Sequence, residues 1–169
     1  MALELTLAML PSPIGEIRVF FRDEHLYGAD FAAGGSPTEQ LLRARLGRLT
    51  LASGTAPAPV REAFARYFDG DLPALKTLPL VTQGTPFQEQ VWRLLRKIPP
   101  GRTVSYAELA ETLGKPKALR AVGLANGRNP ISVVIPCHRV IGKNGSLTGY
   151  GGGLERKAWL LEHERQASR

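Results

Sequence analysis

ISVVIPCHRVIGKNGSLTGY, residues 131–150, contains the single cysteine of the 169-residue chain, and the other informative segments refer back to it. The apolar run Val133-Val134-Ile135 stops at Pro136, which has no N–H and cannot extend a sheet ladder. Cys137, His138 and Arg139 follow directly, which puts the thiol at the end of a buried strand on rigid backbone. A thiol attacks as thiolate, and a neighbouring imidazole and guanidinium lower its pKa from a free value near ~8.5. Adjacent side chains on an extended segment point to different sides, so His138 reaches the sulfur only through a turn or a water. The competing reading of a lone cysteine is a small buried hydrophobe. The flanking Pro, His and Arg weigh against it.

Upstream, Thr85-Pro86-Phe87-Gln88 is a helix start. Thr85 caps, Pro86 fits the first helical position and Gln88 completes a capping box. Phe87, Val91, Leu94 and Ile98 line one face until Pro99-Pro100-Gly101 ends the run. Ser105-Tyr106-Ala107-Glu108 repeats the capping logic and opens a short helix over 106–113. Gly114 ends it, and Pro116 starts another over 116–126, closed by Gly127. Two short helices joined at a glycine resemble a helix-turn-helix, a pattern that structural helix hairpins share. Ala118, Ala121, Gly123 and Ala125 are small enough to admit another backbone. Arg120 lies ~200° around the helix from Val122 at ~100° per residue. With Val122 inside, it faces out among Lys115, Lys117 and Arg128.

Downstream, Lys143-Asn144-Gly145-Ser146 is a hairpin turn. Thr148-Gly149-Tyr150-Gly151-Gly152-Gly153 sets four glycines around one tyrosine: either a loop whose backbone approaches a flat ligand, or a wide turn. The last helix covers 154–165. Glu164, at i+4 from Leu160 and i+3 from Leu161, shares its apolar face. A carboxylate there needs a partner, for which His138 is the natural candidate. The other reading is a solvated helix end.

The first half reads as scaffold. Leu3, Leu5, Leu7 and Met9 alternate as in a half-buried strand, Pro11-Ser12-Pro13-Ile14-Gly15 turns, and 16–21 and 25–31 resume the pattern. Helices follow at 38–46 and 57–68, the second stacking Val60, Phe64 and Phe68 and closed by Gly70. Residues 71–84 form a linker or contribute a last strand around 78–81. The fold class is α/β (α+β): a small N-terminal β-sheet with helices over 1–80, then a mostly helical domain with a helix-turn-helix over 81–169. Nothing in the first half groups titratable residues as a catalyst would.

Charge divides at the same place. Residues 1–84 carry eight Lys/Arg and nine Asp/Glu; residues 85–169 carry fourteen and six, a net of +8. A basic half beside a neutral one suggests a polyanionic partner for the second half only. No apolar run approaches the ~20 residues of a bilayer span, and the N-terminus lacks the basic start of a signal peptide. A lone free thiol fits a reducing cytoplasm. One cysteine and three scattered histidines offer no zinc-ligand spacing, so no metal is expected.

Taken together, these residues resemble the O6-alkylguanine-DNA alkyltransferase family, also called methylated-DNA–protein-cysteine methyltransferases. The matching run begins at Gly84-Thr85-Pro86-Phe87-Gln88 and passes through Val104-Ser105-Tyr106, Arg120-Ala121-Val122-Gly123 and Asn129-Pro130. It includes the signature Ile135-Pro136-Cys137-His138-Arg139-Val140, then Tyr150, Gly152-Gly153-Leu154 and Trp159-Leu160-Leu161-Glu162-His163-Glu164. About half the chain is matched in detail. The first 80 residues match only in general shape, including Ser12-Pro13-Ile14-Gly15.

The resemblance implies that Cys137 accepts the alkyl group, that His138 takes its proton through a water, and that Glu164 orients His138. It implies that Arg120 enters duplex DNA from the minor groove and fills the gap left by an extruded nucleotide. Lys117, Ala121, Gly123 and Arg128 would share that DNA-binding surface. Tyr106 would donate to the guanine ring, and Asn129 would brace the helix-turn-helix against the cysteine segment. Asn126, Val140, Tyr150, Gly151 and Gly152 would form the base pocket. Gly151 stands where some relatives have serine, which removes one donor to O6. Asn126 stands where some relatives have an apolar pocket residue, which bears on tolerance of bulky alkyl groups. The zinc of some relatives is not implied, because its cysteine ligands are absent.

No cofactor is expected, since the lesion itself is the alkyl donor. The resulting thioether would end the reaction after one turnover. The partner is alkylated double-stranded DNA, carrying O6-alkylguanine and, as a further candidate lesion, O4-alkylthymine; the chain would act as a monomer, with cooperative binding along DNA as a further candidate property. Two alternatives stand beside this reading: a non-catalytic binder of alkylated bases with the same fold, and a Cys-His-Glu hydrolase.

Overall fold

The opening alternation becomes β1 (Leu3–Leu10), which the proline turn returns antiparallel as β2 (Ile17–Arg22). This is seen in the computed structural model, which describes residues 2–169. β3 (His25–Phe31) pairs with β2, α1 (Thr38–Leu46) crosses over, and β4 (Leu49–Ser53) adds parallel to β1. The sheet order is β3-β2-β1-β4. β4 escapes sequence reading because LTLAS buries only Leu49 and lies at the sheet edge. Both faces of the sheet are covered. Leu5 and Phe20 pack with Leu42 of α1 and with Leu49, while Ala8, Leu10, Ile17 and Val19 enter the main core.

α2 (Ala58–Phe68) packs on that core through Val60, Phe64 and Tyr67. The expected third member of the stack, Phe68, is only partly buried. At ~100° per residue, Phe68 has drifted ~80° from Val60, whereas Tyr67 lies within ~20° of it. Helical geometry therefore turns a tyrosine, rather than a phenylalanine, toward the second half. A 3-10 segment, Leu72–Thr77, leads to a single parallel bridge between Leu80 and Leu26, where a linker or strand was expected.

α3 (Pro86–Lys97) begins with the full Thr85–Gln88 capping box and buries Val91, Trp92 and Leu95. β5 (Val104–Ser105) leads into α4 (Tyr106–Thr112), capped reciprocally by Ser105 and Glu108. Gly114, at φ +73°, reverses the chain. α5 (Leu119–Gly127) starts three residues later than Pro116 suggested, because 116–118 form the turn itself. β6 (Val140–Ile141) pairs parallel with β5, and α6 (Leu154–Ala167) closes the chain. The main core is continuous across residue 80, joining Phe31, Phe64 and Tyr67 to Trp92, Val122, Ile135 and Leu160. No described helix is long and apolar enough to cross a membrane.

Candidate active site

The apolar run 133–135 does not form the expected strand. Val133 and Val134 occupy a buried turn closed by Ile135 N–H donating to Ile131 O at 2.9 Å, with Val133 at φ +72°. A left-handed conformation is strained for a β-branched residue and survives only where its surroundings enforce it. Asn129 provides the enforcement: its Nδ2 donates to Ile135 O at 2.7 Å, and its Oδ1 accepts from Ile131 N at 2.9 Å. A three-residue apolar run does not distinguish a buried strand from a buried turn.

Cys137 consequently opens a 3-10 turn, Cys137–Arg139, and lines a cavity of about 240 Å³. Tyr106 at the start of α4, and Gly123, Asn126 and Gly127 along α5, form one side of that cavity. Tyr150 and Gly151 form another, with Ser36 entering from the first half. Gly152 lies behind this wall, where a Cβ would meet the Phe31 ring at 2.7 Å and the Tyr150 ring at 2.8 Å. Val140 belongs to the core and to the β5–β6 pair, not to the cavity lining.

His138, Arg139 and Glu164 are all buried, and they meet behind the cysteine. His138 Nε2 lies 2.8 Å from Glu164 Oε2; Arg139 donates from Nε to Oε1 and from Nη2 to Oε2, both at 2.8 Å. Burial alone would raise the Glu164 carboxyl, but His138 and Arg139 outweigh it and hold it well below the carboxylate range. An ionised carboxylate only accepts, so His138 carries its proton on Nε2. Its Nδ1 is then an acceptor, buried and without a partner among the described residues. Burial also lowers the His138 pKa against the pull of Glu164, which keeps the ring neutral at rest.

The expected guanidinium assistance to the sulfur is not what Arg139 provides. Its donors go to Glu164 and to Ile98 O, the latter at 2.7 Å. Burial raises the Cys137 thiol above its ordinary value, opposed by Asn129 and by Lys157.

Two participants were missed. Lys157 of α6 is fully buried and donates from Nζ to Thr148 O at 2.7 Å, tying down the loop that carries Tyr150. Its two-turn offset from Glu164 on α6 was the available signal. Tyr67, from the half read as scaffold, donates its hydroxyl to Glu164 Oε2 at 2.5 Å. No local pattern announces that contact across 97 positions.

On the outer surface, Lys117, Arg120, Ala121 and Arg128 are all exposed, while Val122 is fully buried. Leu119 and Leu124 are exposed as well, leaving α5 an apolar and basic outer face. A Cβ at Gly123 would meet nothing within 4 Å, so this helix is open to close approach beside the cavity mouth. Among the described residues no cluster of three or more His, Cys, Asp or Glu gathers as a metal site.

Comparison with known proteins follows the same residues. Residues 86–166 match a family model described as 6-O-methylguanine DNA methyltransferase, DNA binding domain. A methylated-DNA–protein-cysteine methyltransferase of Shigella flexneri is 57% identical over 112 residues, which make up 66% of each chain. One from Mycolicibacterium paratuberculosis is 56% identical over 107 residues, 63% of this chain and 64% of that one. The aligned part thus spans just under two thirds of these curated relatives. Solved structures extend the likeness over the whole length. Mycobacterium tuberculosis OGT in complex with DNA superposes with a TM-score of 0.80 at 39% identity, covering 96% of this chain and 94% of that one. An O6-methylguanine-DNA methyltransferase from Pyrococcus kodakaraensis gives 0.75 at 26% identity, with 95% and 98% covered.

Proposed function

The chain belongs to the O6-methylguanine-DNA methyltransferase family, and from that premise we propose that it reverses O6-alkylguanine damage by moving the alkyl group onto Cys137. The observation that carries this reading is one arrangement. The only thiol lines a nucleobase-sized cavity, with a buried, carboxylate-held imidazole beside it in the chain.

The thiol proton passes through a bridging water to Nδ1 of His138, and the resulting imidazolium is stabilised by Glu164 through Nε2–H. The sulfur attacks the alkyl carbon. A carbon–sulfur bond forms as the carbon–O6 bond breaks, and its electron pair moves into the purine. Tyr106, at the cavity rim, donates a proton to the ring as that charge develops. A stacked base hides its O6 substituent from a buried sulfur, so the nucleotide must leave the duplex. Arg120 enters from the minor groove and fills the gap, while Lys117 and Arg128 hold flanking phosphates. Asn129 braces the cysteine turn, and Asn126, Tyr150 and the backbone at Gly151 enclose the base. Gly152 contributes through the room it leaves beside Tyr150 and Phe31. The product thioether ends the reaction after one turnover, without cofactor, on a cytoplasmic monomer.

Intact mass before and after exposure to an O6-methylguanine duplex tests this directly. One methyl retained per chain, mapped to Cys137 and absent in Cys137→Ser, is expected. Binding without mass gain would indicate a lesion binder, and catalytic release of a small product would indicate a hydrolase.

A further inference from the structure

Glu164 Oε2 accepts from three donors: Tyr67 OH at 2.5 Å, Arg139 Nη2 at 2.8 Å and His138 Nε2 at 2.8 Å. Oε1 accepts from Arg139 Nε alone. The oxygen that faces the imidazole is therefore the crowded one, and Tyr67 is the donor that the bidentate arginine does not require. Tyr67 has no exposed surface, and its ring is fixed edge-on against Phe68 at 5.0 Å and His163 at 5.3 Å. His163 Nε2 lies 2.8 Å from the Tyr67 carbonyl, so α2 and α6 are fastened together around this hydroxyl.

We propose that Tyr67 is a positioning residue for the alkyl-transfer site: by occupying Glu164 Oε2, it limits how strongly that carboxylate draws the His138 proton. The inference rests on the function proposed above, and it gives the N-terminal half a chemical part in that function. A carboxylate oxygen that accepts from a phenol has its charge partly delocalised into that bond, and charge-assisted hydrogen bonds are the strong ones. Without the phenol, Oε2 interacts more strongly with Nε2–H and favours the imidazolium form. With it, His138 stays neutral at rest, so Nδ1 keeps the lone pair that must receive the thiol proton.

The other charged and titratable groups around His138 leave this role to Tyr67. Arg139 is committed to Glu164 and Ile98 O, and Lys157 to Thr148 O. Cys137 is the proton donor itself. Tyr150 presents its ring to the imidazole at 6.5 Å, and its hydroxyl has no partner among the described residues.

The test is the titration of His138 in the full-length protein, followed by imidazole carbon–proton NMR. Tyr67→Phe keeps the ring and removes the hydroxyl; it should raise the His138 pKa by about half a unit to one unit. The pH profile of Cys137 alkylation by iodoacetamide should shift to lower pH in parallel. Replacing Tyr67 with 3-fluorotyrosine, a stronger donor of nearly the same shape, should move both profiles the opposite way. That variant keeps the test decisive if Tyr67→Phe fails to fold. Unmoved profiles, or the same direction of shift in both variants, would overturn the proposal and leave Tyr67 as packing alone. Because neither readout uses DNA, the result is independent of whether alkylated guanine is the substrate.

Discussion

Asn129 acts on the reaction without being placed to react. Its amide satisfies a buried backbone acceptor, Ile135 O, and a buried backbone donor, Ile131 N, and so maintains the turn with Val133 at φ +72°. Asn129→Ala leaves both groups unpaired in the core, at about 1–3 kcal/mol each. Urea unfolding should show a loss of about 2–5 kcal/mol, with transfer to Cys137 slowed as its turn loosens; a loss under about 1 kcal/mol would mean the turn maintains itself. Tyr106→Phe separates structure from chemistry at another position. Single-turnover transfer should slow about 10- to 100-fold with little change in melting temperature, in the range of one removed general acid. An unchanged rate would remove the proton-donor role.

At the scale of elements, the helices whose ends carry side-chain signals were legible. Thr85–Gln88 and Ser105–Glu108 both form reciprocal caps where the sequence placed them. Signals resting on a few apolar residues were not: 131–135 became a turn, and the edge strand β4 carried almost no alternation. The Glu164–His138 pairing was legible because a carboxylate on an apolar face demands a partner, whereas the hydroxyl of Tyr67 was not. Its arrival depends on the pitch of α2, a geometric fact spread over seven residues. The outer face of α5 was legible for the same reason in reverse, since ~200° from a buried valine leaves Arg120 in solvent. Arg120→Ala therefore should impair repair in duplex DNA about 10- to 100-fold, if the finger offsets part of the few kcal/mol that extrusion costs. Reaction with free O6-benzylguanine, which needs no extrusion, should change by less than about threefold by the same reasoning. Equal losses on both substrates would place Arg120 in chemistry or folding instead.

For the molecule as a whole, the two halves are fastened at the site as well as beside it. Arg45 stacks over Trp92 at 4.7 Å and donates to Arg128 O, Arg156 donates to Ile14 O, and Tyr67 reaches Glu164. Global stability should therefore report the charge state of the buried pair. His138 has a folded pKa below its unfolded value near ~6.5, so the unfolded chain binds that proton first as pH falls. The stabilisation from a neutral His138 is complete above that value and is lost as pH drops toward the folded pKa. Glu164 is held low as well, so its contribution is complete above the ordinary carboxylate value near ~4.3 and declines below it. Both terms carry the same sign. The melting temperature should fall on acidification, first below about pH 6.5 and again below about pH 4.5. His138→Asn should flatten the first step relative to the unmodified chain while retaining the second, as calorimetry at a series of pH values would show. If the two proteins lose stability in parallel from pH 7.5 to 5, the imidazole is not held neutral by the fold, and the proton path from Cys137 to Nδ1 loses its acceptor.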